Sequence, residues 1–449
     1  MTTKPNILLI MLDQWRFDWL DKCITPAIHS LAKSGTQFTQ AVCNSPACVP
    51  SRASLSSGRY PHRIGVLSNE QLFPLEQPTV YQQLRKGGYR VGGFGKLEFQ
   101  KPLLHDENRT TMRNEHFGFT DFVETEGKMS SGKTRSDGQL MGRYQRWLEQ
   151  KQLLKTHIRD YKQRVTKPKW HTLFSSLAAN DRLDYFIARQ AKDYLLSTKA
   201  DTPWFCGVYF SSPHNPWDAV HEHYERFSEM MFAPPIPAHP EQKPAWIRAR
   251  QHEHTAGMPA SALGEVKRHY AALLWQVDSL VATLVNTLAE IDATEQTVII
   301  ITSDHGEMLG DHRLFNKQAM YESSIRIPLL IIDPLCQQTA TTSALVEMVD
   351  LFPTILDFAQ IHFDDTLDGQ SLKPLLTNPK AHLKAEQLAV LENCNMLRTN
   401  EYKYICHSNN RDELYHLLDD PFETKNVAES MPDIAKMMNT RLKRKKGGY

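Results

Sequence analysis

The sequence predicts an α/β fold: a doubly wound, mostly parallel sheet flanked by helices, followed by a smaller α+β unit built on an antiparallel sheet. Three observations carry this reading. The apolar runs 7–12 and 298–301 have the length and composition of strands buried on both faces. Helical patterns separate one run from the next, the rhythm of a parallel sheet. Beyond about residue 380 that rhythm gives way to short strands at close spacing, which an antiparallel unit makes.

Along the chain, 7–12 is the first strand, and Thr25-Pro26 opens a helix that Gly35 follows. A helix over 79–86, ended by Gly87-Gly88, leads into a strand over 89–94. Another helix, 182–196, leads into a strand over 204–210. The longest helical pattern starts at Ser261 and puts Val266, Tyr270, Leu273, Val277, Leu284 and Leu288 on one face. A strand over 297–301 follows it. Next come a strand over 328–332 and an amphipathic helix over 344–359. Short strands are expected at 388–391, 396–398, 402–406 and 413–416. The polar stretch Thr377-Asn378-Pro379-Lys380 divides a catalytic domain, 1–380, from a C-terminal antiparallel-sheet subdomain, 381–449. Residues 128–180 read as a basic insertion at the sheet's edge.

With 449 residues, 41% of them hydrophobic and 23% charged, the chain can bury one large core and a smaller one. A formal charge of +1 gives no general reason to expect nucleic acid or a membrane as partner. Local patches differ: over 128–169, seven lysines and five arginines face only Asp137, Glu149 and Asp160. Seven cysteines without paired spacing argue against a disulfide framework. The N-terminal apolar run is too short for a secretory leader, and no apolar stretch approaches the roughly 20 residues that span a bilayer. A cytoplasmic protein is expected, or a periplasmic one if an N-terminal segment has been removed.

Ligands of an open parallel sheet gather at the carboxyl ends of its strands. The first strand ends in Asp13-Gln14 and the strand 298–301 ends in Thr302-Ser303-Asp304-His305. Two carboxylates, an amide oxygen and an imidazole suit one divalent cation, and the oxygen-rich set favours Ca²⁺ or Mg²⁺ over zinc. The plainer alternative is that Asp13 and Asp304 only cap turns.

The stretch C-V-P-S-R-A-S-L-S-S-G-R, Cys48 to Arg59, resembles the signature of the type I, formylglycine-dependent sulfatases of the alkaline phosphatase superfamily. In that family the cysteine of C-x-P-S-R is oxidised to an aldehyde by a formylglycine-generating enzyme. The resemblance implies a formylglycine nucleophile at Cys48, held by Arg52, and a Ca²⁺ (or Mg²⁺) on Asp13, Gln14, Asp304 and His305. G-K-L at 95–97 is similar to the motif whose lysine binds sulfate, which makes Lys96 a candidate. His214, in S-P-H-N-P-W, takes the place of the histidine that contacts the ester oxygen. Lys317 matches the second sulfate-binding lysine, and Asn69 a pocket-lining position. Glu98 stands where the family usually has a histidine.

The expected function is hydrolysis of sulfate esters on a small molecule or oligosaccharide, with the basic insertion suited to a sulfated carbohydrate. Glu98 keeps open a phosphonate monoester or phosphodiester hydrolase of the same superfamily, or a non-catalytic homologue that binds sulfated glycans. Oligomeric state leaves no signature in the sequence.

Overall fold

The computed structural model describes residues 4–99, 107–133, 140, 142–336, 339–408 and 411–447. In chain order the elements are β1 (Asn6–Asp13), α1 (Pro26–Leu31), β2 (Thr36–Phe38), β3 (Ala41–Val42), α2 (Cys48–Ser57), α3 (Val80–Lys86), β4 (Arg90–Gly95), α4 (Glu107–His116) and β5 (Asp121–Glu124). Then come α5 (Arg143–Gln150), α6 (Leu154–Val165), α7 (Leu183–Leu196), β6 (Trp204–Pro213), α8 (His221–Glu225), α9 (Ala245–Thr255), α10 (Ala262–Glu290) and β7 (Thr297–Ser303). The remainder is α11 (Glu322–Ile325), β8 (Leu329–Ile332), β9 (Ala340–Thr342), β10 (Val346–Glu347), α12 (Leu351–Phe358), α13 (Lys373–Thr377), β11 (Gln387–Val390), β12 (Cys394–Arg398), β13 (Tyr402–His407), β14 (Glu413–His416) and α14 (Pro432–Lys445).

Eight strands form the main sheet in the order β5-β4-β6-β1-β7-β8-β2-β9. The five strands from β5 to β7 run parallel; β8 is antiparallel to both β7 and β2. β1 lies inside the sheet, and a core layer covers each of its faces. Ile7, Leu9 and Met11 enter one core, while Leu8, Ile10 and Leu12 enter the other. That is why the run is apolar at every position rather than at alternate ones. The second sheet, β11-β12-β13-β14, is antiparallel throughout.

The expected elements recur, one of them shortened, among further short strands and helices such as β5, α5, α6 and α9 that the sequence reading did not name. Of the helix expected over 344–359, only residues 351–358 are α-helical. Val346 and Glu347 instead pair with Ala41 and Val42 of β3, and Glu347 and Asp350 cap the turn between them reciprocally. α14, which sequence reading saw only as a basic tail, packs Met438 and Leu442 against the small sheet. Among the described residues α10 alone is long and apolar enough to cross a membrane, yet 67% of its most apolar window is buried inside the protein.

Candidate active site

The carboxyl ends of β1, β4, β6 and β7 meet the start of α2, and the expected residues converge there. α2 is buried over all ten residues although it carries four serines. The hydroxyls of Ser54, Ser56 and Ser57 donate to the carbonyls of Pro50, Arg52 and Ala53 at 3.1, 2.8 and 2.7 Å, and Ser51 Oγ donates to Asp304 O at 2.5 Å. A polar helix is thereby satisfied without water. Gly58, at φ 65°, ends it in the left-handed region and donates to Ser54 O. At the other end Asn69 Oδ1 accepts the Val49 N–H at 3.0 Å. Asn69 thus sits beside Cys48, where it caps the helix that presents the thiol.

Cys48 is the first residue of α2 and is 1% exposed. Its Sγ lies 3.3 Å from His305 Nε2, 3.4 Å from Lys96 Nζ and 4.0 Å from Asp13 Oδ1. Burial and the Asp13 carboxylate push the thiol up, but the Lys317 and Lys96 ammoniums outweigh them and bring it down to about 6. Arg52, one turn on, spans the carboxylates: Nε and Nη2 donate to Asp304 Oδ2 at 3.0 and 2.8 Å, and Nη2 is 3.5 Å from Asp13 Oδ2.

Lys96 follows β4 directly. Gly95 must precede it, because at φ 107° a Cβ there would stand 2.1 Å from Tyr209 O of β6. That close approach lets the Lys96 N–H reach the same carbonyl at 2.9 Å. Lys96 Nζ pairs with Asp13 Oδ2 and lies 3.3 Å from Glu98 Oε1. Burial alone would lower its pKa; the Asp13 carboxylate holds it well above the usual lysine value. Glu98, at φ 60° and 3% exposed, also lies 3.9 Å from Arg52 Nε. It is placed as a charge partner of two cations.

Lys317 Nζ donates to Gln14 Oε1 at 2.7 Å and to His214 Nε2 at 2.6 Å. His214 Nδ1 is 2.5 Å from Asn215 O. Burial and the neighbouring Lys317 push the imidazole well below its usual pKa.

The ligand atoms of Asp13, Cys48, Asp304 and His305 all lie within 4.8 Å of one another. The carboxylates and imidazole are fully buried. Two anionic oxygens and one nitrogen drawn to a point fit a divalent cation, as does the adjacent Gln14 amide. Three supporting residues have no counterpart in the sequence reading. Glu307 accepts from the Gln14 amide and from the N–H groups of Leu309 and Asn316, which orients Gln14. Tyr270 Oη donates to Gln14 O at 2.7 Å and accepts from the Arg16 N–H at 2.9 Å. Asp184 Oδ1 accepts from Ser211 and Ser212 at the end of β6, just ahead of His214. The acidic run S-D-H-G-E was a signal for Glu307; Tyr270 and Asp184 sit inside ordinary helical patterns and offered none.

The basic insertion divides. Arg135 and Asp137 lie outside the described residues. Lys128 and Arg164 do not face a cleft but are buried against Asp218. Lys155, Arg159, Lys162 and Lys167 line an open groove along α6.

The "Sulfatase" family matches residues 5–361, and "N-sulphoglucosamine sulphohydrolase, C-terminal" matches 310–447. The chain is 26% identical to arylsulfatase K of Bos taurus over 467 residues, covering 98% of this chain and 81% of that one. It is also 26% identical to an ulvan-active sulfatase of Formosa agariphila over 458 residues, covering 97% and 79%. Two solved structures share the fold. The phosphonate monoester hydrolase of Agrobacterium radiobacter gives a TM-score of 0.81 at 22% identity, over 99% of this chain and 95% of that one. A structure in complex with its substrate D-glucosamine-2-N,6-O-disulfate gives 0.74 at 20% identity, over 99% and 98%. The relatives overturn the expectation of a cytoplasmic protein, because arylsulfatase K and the ulvan-active sulfatase are secreted or lysosomal enzymes. Unpaired cysteines and a short apolar start do not locate a chain.

Proposed function

The chain belongs to the sulfatase family and is a sulfuric ester hydrolase, and from that premise we propose that its site works through a formylglycine made from Cys48 and one divalent cation. The observation that carries the reading is the convergence of Lys96, Lys317 and His214 on a buried Cys48 flanked by Asp13 and Asp304. Oxidised to an aldehyde, side chain 48 would supply, as its hydrate, one hydroxyl to attack sulfur and a second whose deprotonation expels sulfate. A cation held by Asp13, Gln14, Asp304 and His305 would lower the pKa of that hydroxyl and draw charge from the sulfate oxygens.

The remaining work belongs to the protein's own side chains. Lys96 and Lys317, the two ammoniums whose charge acts on Cys48, bind the sulfate oxygens. Arg52 keeps the two aspartates in register beneath them. His214 hands a proton to the departing ester oxygen from Nε2, and Lys317 is the donor in place to supply it. Asn69 serves this site by fixing the start of α2, and Glu98 by balancing Lys96 and Arg52.

For substrate we favour a sulfated carbohydrate. One relative is named for ulvan and one structural neighbour was solved with a disulfated glucosamine. The cationic α6 groove suits a polyanion. A phosphonate monoester or phosphodiester activity is the second reading, favoured by Glu98 in the place of the usual histidine. One aryl leaving group, offered as sulfate monoester, phosphonate monoester and phosphodiester, separates the two, on protein whose residue-48 peptide has the aldehyde mass. The highest kcat/KM should be on the sulfate; a higher value on either phosphorus ester would reverse the order.

A further inference from the structure

Behind the His214 loop three cations share one carboxylate. Lys128 Nζ donates to Asp218 Oδ1 at 2.7 Å, Arg182 Nη2 donates to the same oxygen at 2.9 Å, and Arg164 Nη1 pairs with Oδ2. All four side chains are 6 or 7% exposed. Two further buried carboxylates are nearby: Asp184, which lines the same space, accepts from backbone N–H groups of β6, and Asp160 accepts from the N–H and hydroxyl of Ser176. His157 and His269, packed against the cluster, are pushed down to about 4 by burial and stay neutral. Glu126 accepts from the Gln145 N–H and lines no part of the space. Among the residues that line this space, three cations therefore face two carboxylates.

These groups line a small cavity of about 30 Å³, room for a water or one small ion. The Nε–H groups of Arg164 and Arg182 are buried without a partner among the described residues. Water would satisfy those donors but leave the excess charge in a low-dielectric site, where an uncompensated ion is costly. We propose that this cavity binds a single halide ion, chloride in ordinary buffers, against Lys128, Arg164 and Arg182. Lys128 also donates to Pro216 O at 2.9 Å. A bound halide therefore braces the loop that carries His214.

Bromide tests this without reference to turnover. Crystals grown in bromide and measured at the bromine edge should give an anomalous peak inside the cavity; a cavity with no such peak overturns the site. In solution, chloride titrated into a gluconate background should raise Tm saturably, by about 1–3 °C. Arg164→Gln removes the excess charge and should abolish the rise. An equal rise in that variant would place the ion elsewhere, and no rise in the unmodified protein would overturn the proposal.

Discussion

Lys317 Nζ stands 2.6 Å from Nε2 of His214. An ammonium has no lone pair, so the imidazole nitrogen is the acceptor and the ring hydrogen sits on Nδ1, facing Asn215 O at 2.5 Å. The two residues act as a unit, and their effects should not add. Lys317→Ala and His214→Ala should each lower kcat roughly 10²- to 10⁴-fold with Tm retained, and the double variant should be little worse than either. Steady-state kinetics on one aryl sulfate decides it; additive losses would separate the two roles.

Cys48→Ala should lose on the order of 10⁴-fold or more of the turnover, because among the described residues Cys48 is the nucleophile placed between Lys96 and His305. Far-ultraviolet dichroism should be unchanged. Residual turnover within tenfold of the parent would remove residue 48 from the chemistry.

Glu98 lies between Lys96 and Arg52 as a counter-charge. Glu98→Gln should therefore keep kcat within about tenfold and lower KM for an anionic ester, since the site becomes more positive. A kcat loss of a hundredfold or more would make Glu98 a proton-transfer group.

Prolonged chelation should remove most of the activity, and Ca²⁺ or Mg²⁺ should restore it. Asp304→Asn should not be rescued at any metal concentration, because Asp304 also anchors Arg52 and the Gln14 N–H. Activity untouched by exhaustive chelation, with no metal in the protein by elemental analysis, would sink the cation.

Glu126 is buried, and burial raises its carboxyl from 4.5 to about 7. A folded pKa above the unfolded one favours the folded state fully below pH 4.5, and that advantage is lost as pH rises through 7. The contribution is about 3 kcal/mol by pH 8. Glu126→Gln keeps a carbonyl for the Gln145 N–H and carries no charge, so its Tm should exceed that of the parent by more at pH 8 than at pH 5. Parallel melting curves across that range would contradict it.

The ends of β1 and β7 were legible because each is an apolar run followed within three residues by an acid, and burial on both faces allows nothing else at Ile7 or Ile300. Cys48 and Arg52 were legible through a motif. Glu98 was flagged only as a missing histidine; its pairing with Lys96 and Arg52 depends on the left-handed backbone at 98, which no pattern announces. Tyr270 and Asp184 read as ordinary members of buried helical faces because the groups they hold lie elsewhere in the chain. α12 was overdrawn because Val346 satisfies a helical pattern and a strand equally, and pairing with β3 decides between them.

The helix that begins at Cys48 has no exposed face, and the residue that closes over it, Asp304, comes 253 positions after Ser51. At the pace of synthesis that separation is a delay of roughly 10–50 s. Until then β1 has no β7 beside it and the thiol has no roof. An enzyme that converts Cys48, as proposed, would have that interval and would lose access once the central sheet completes.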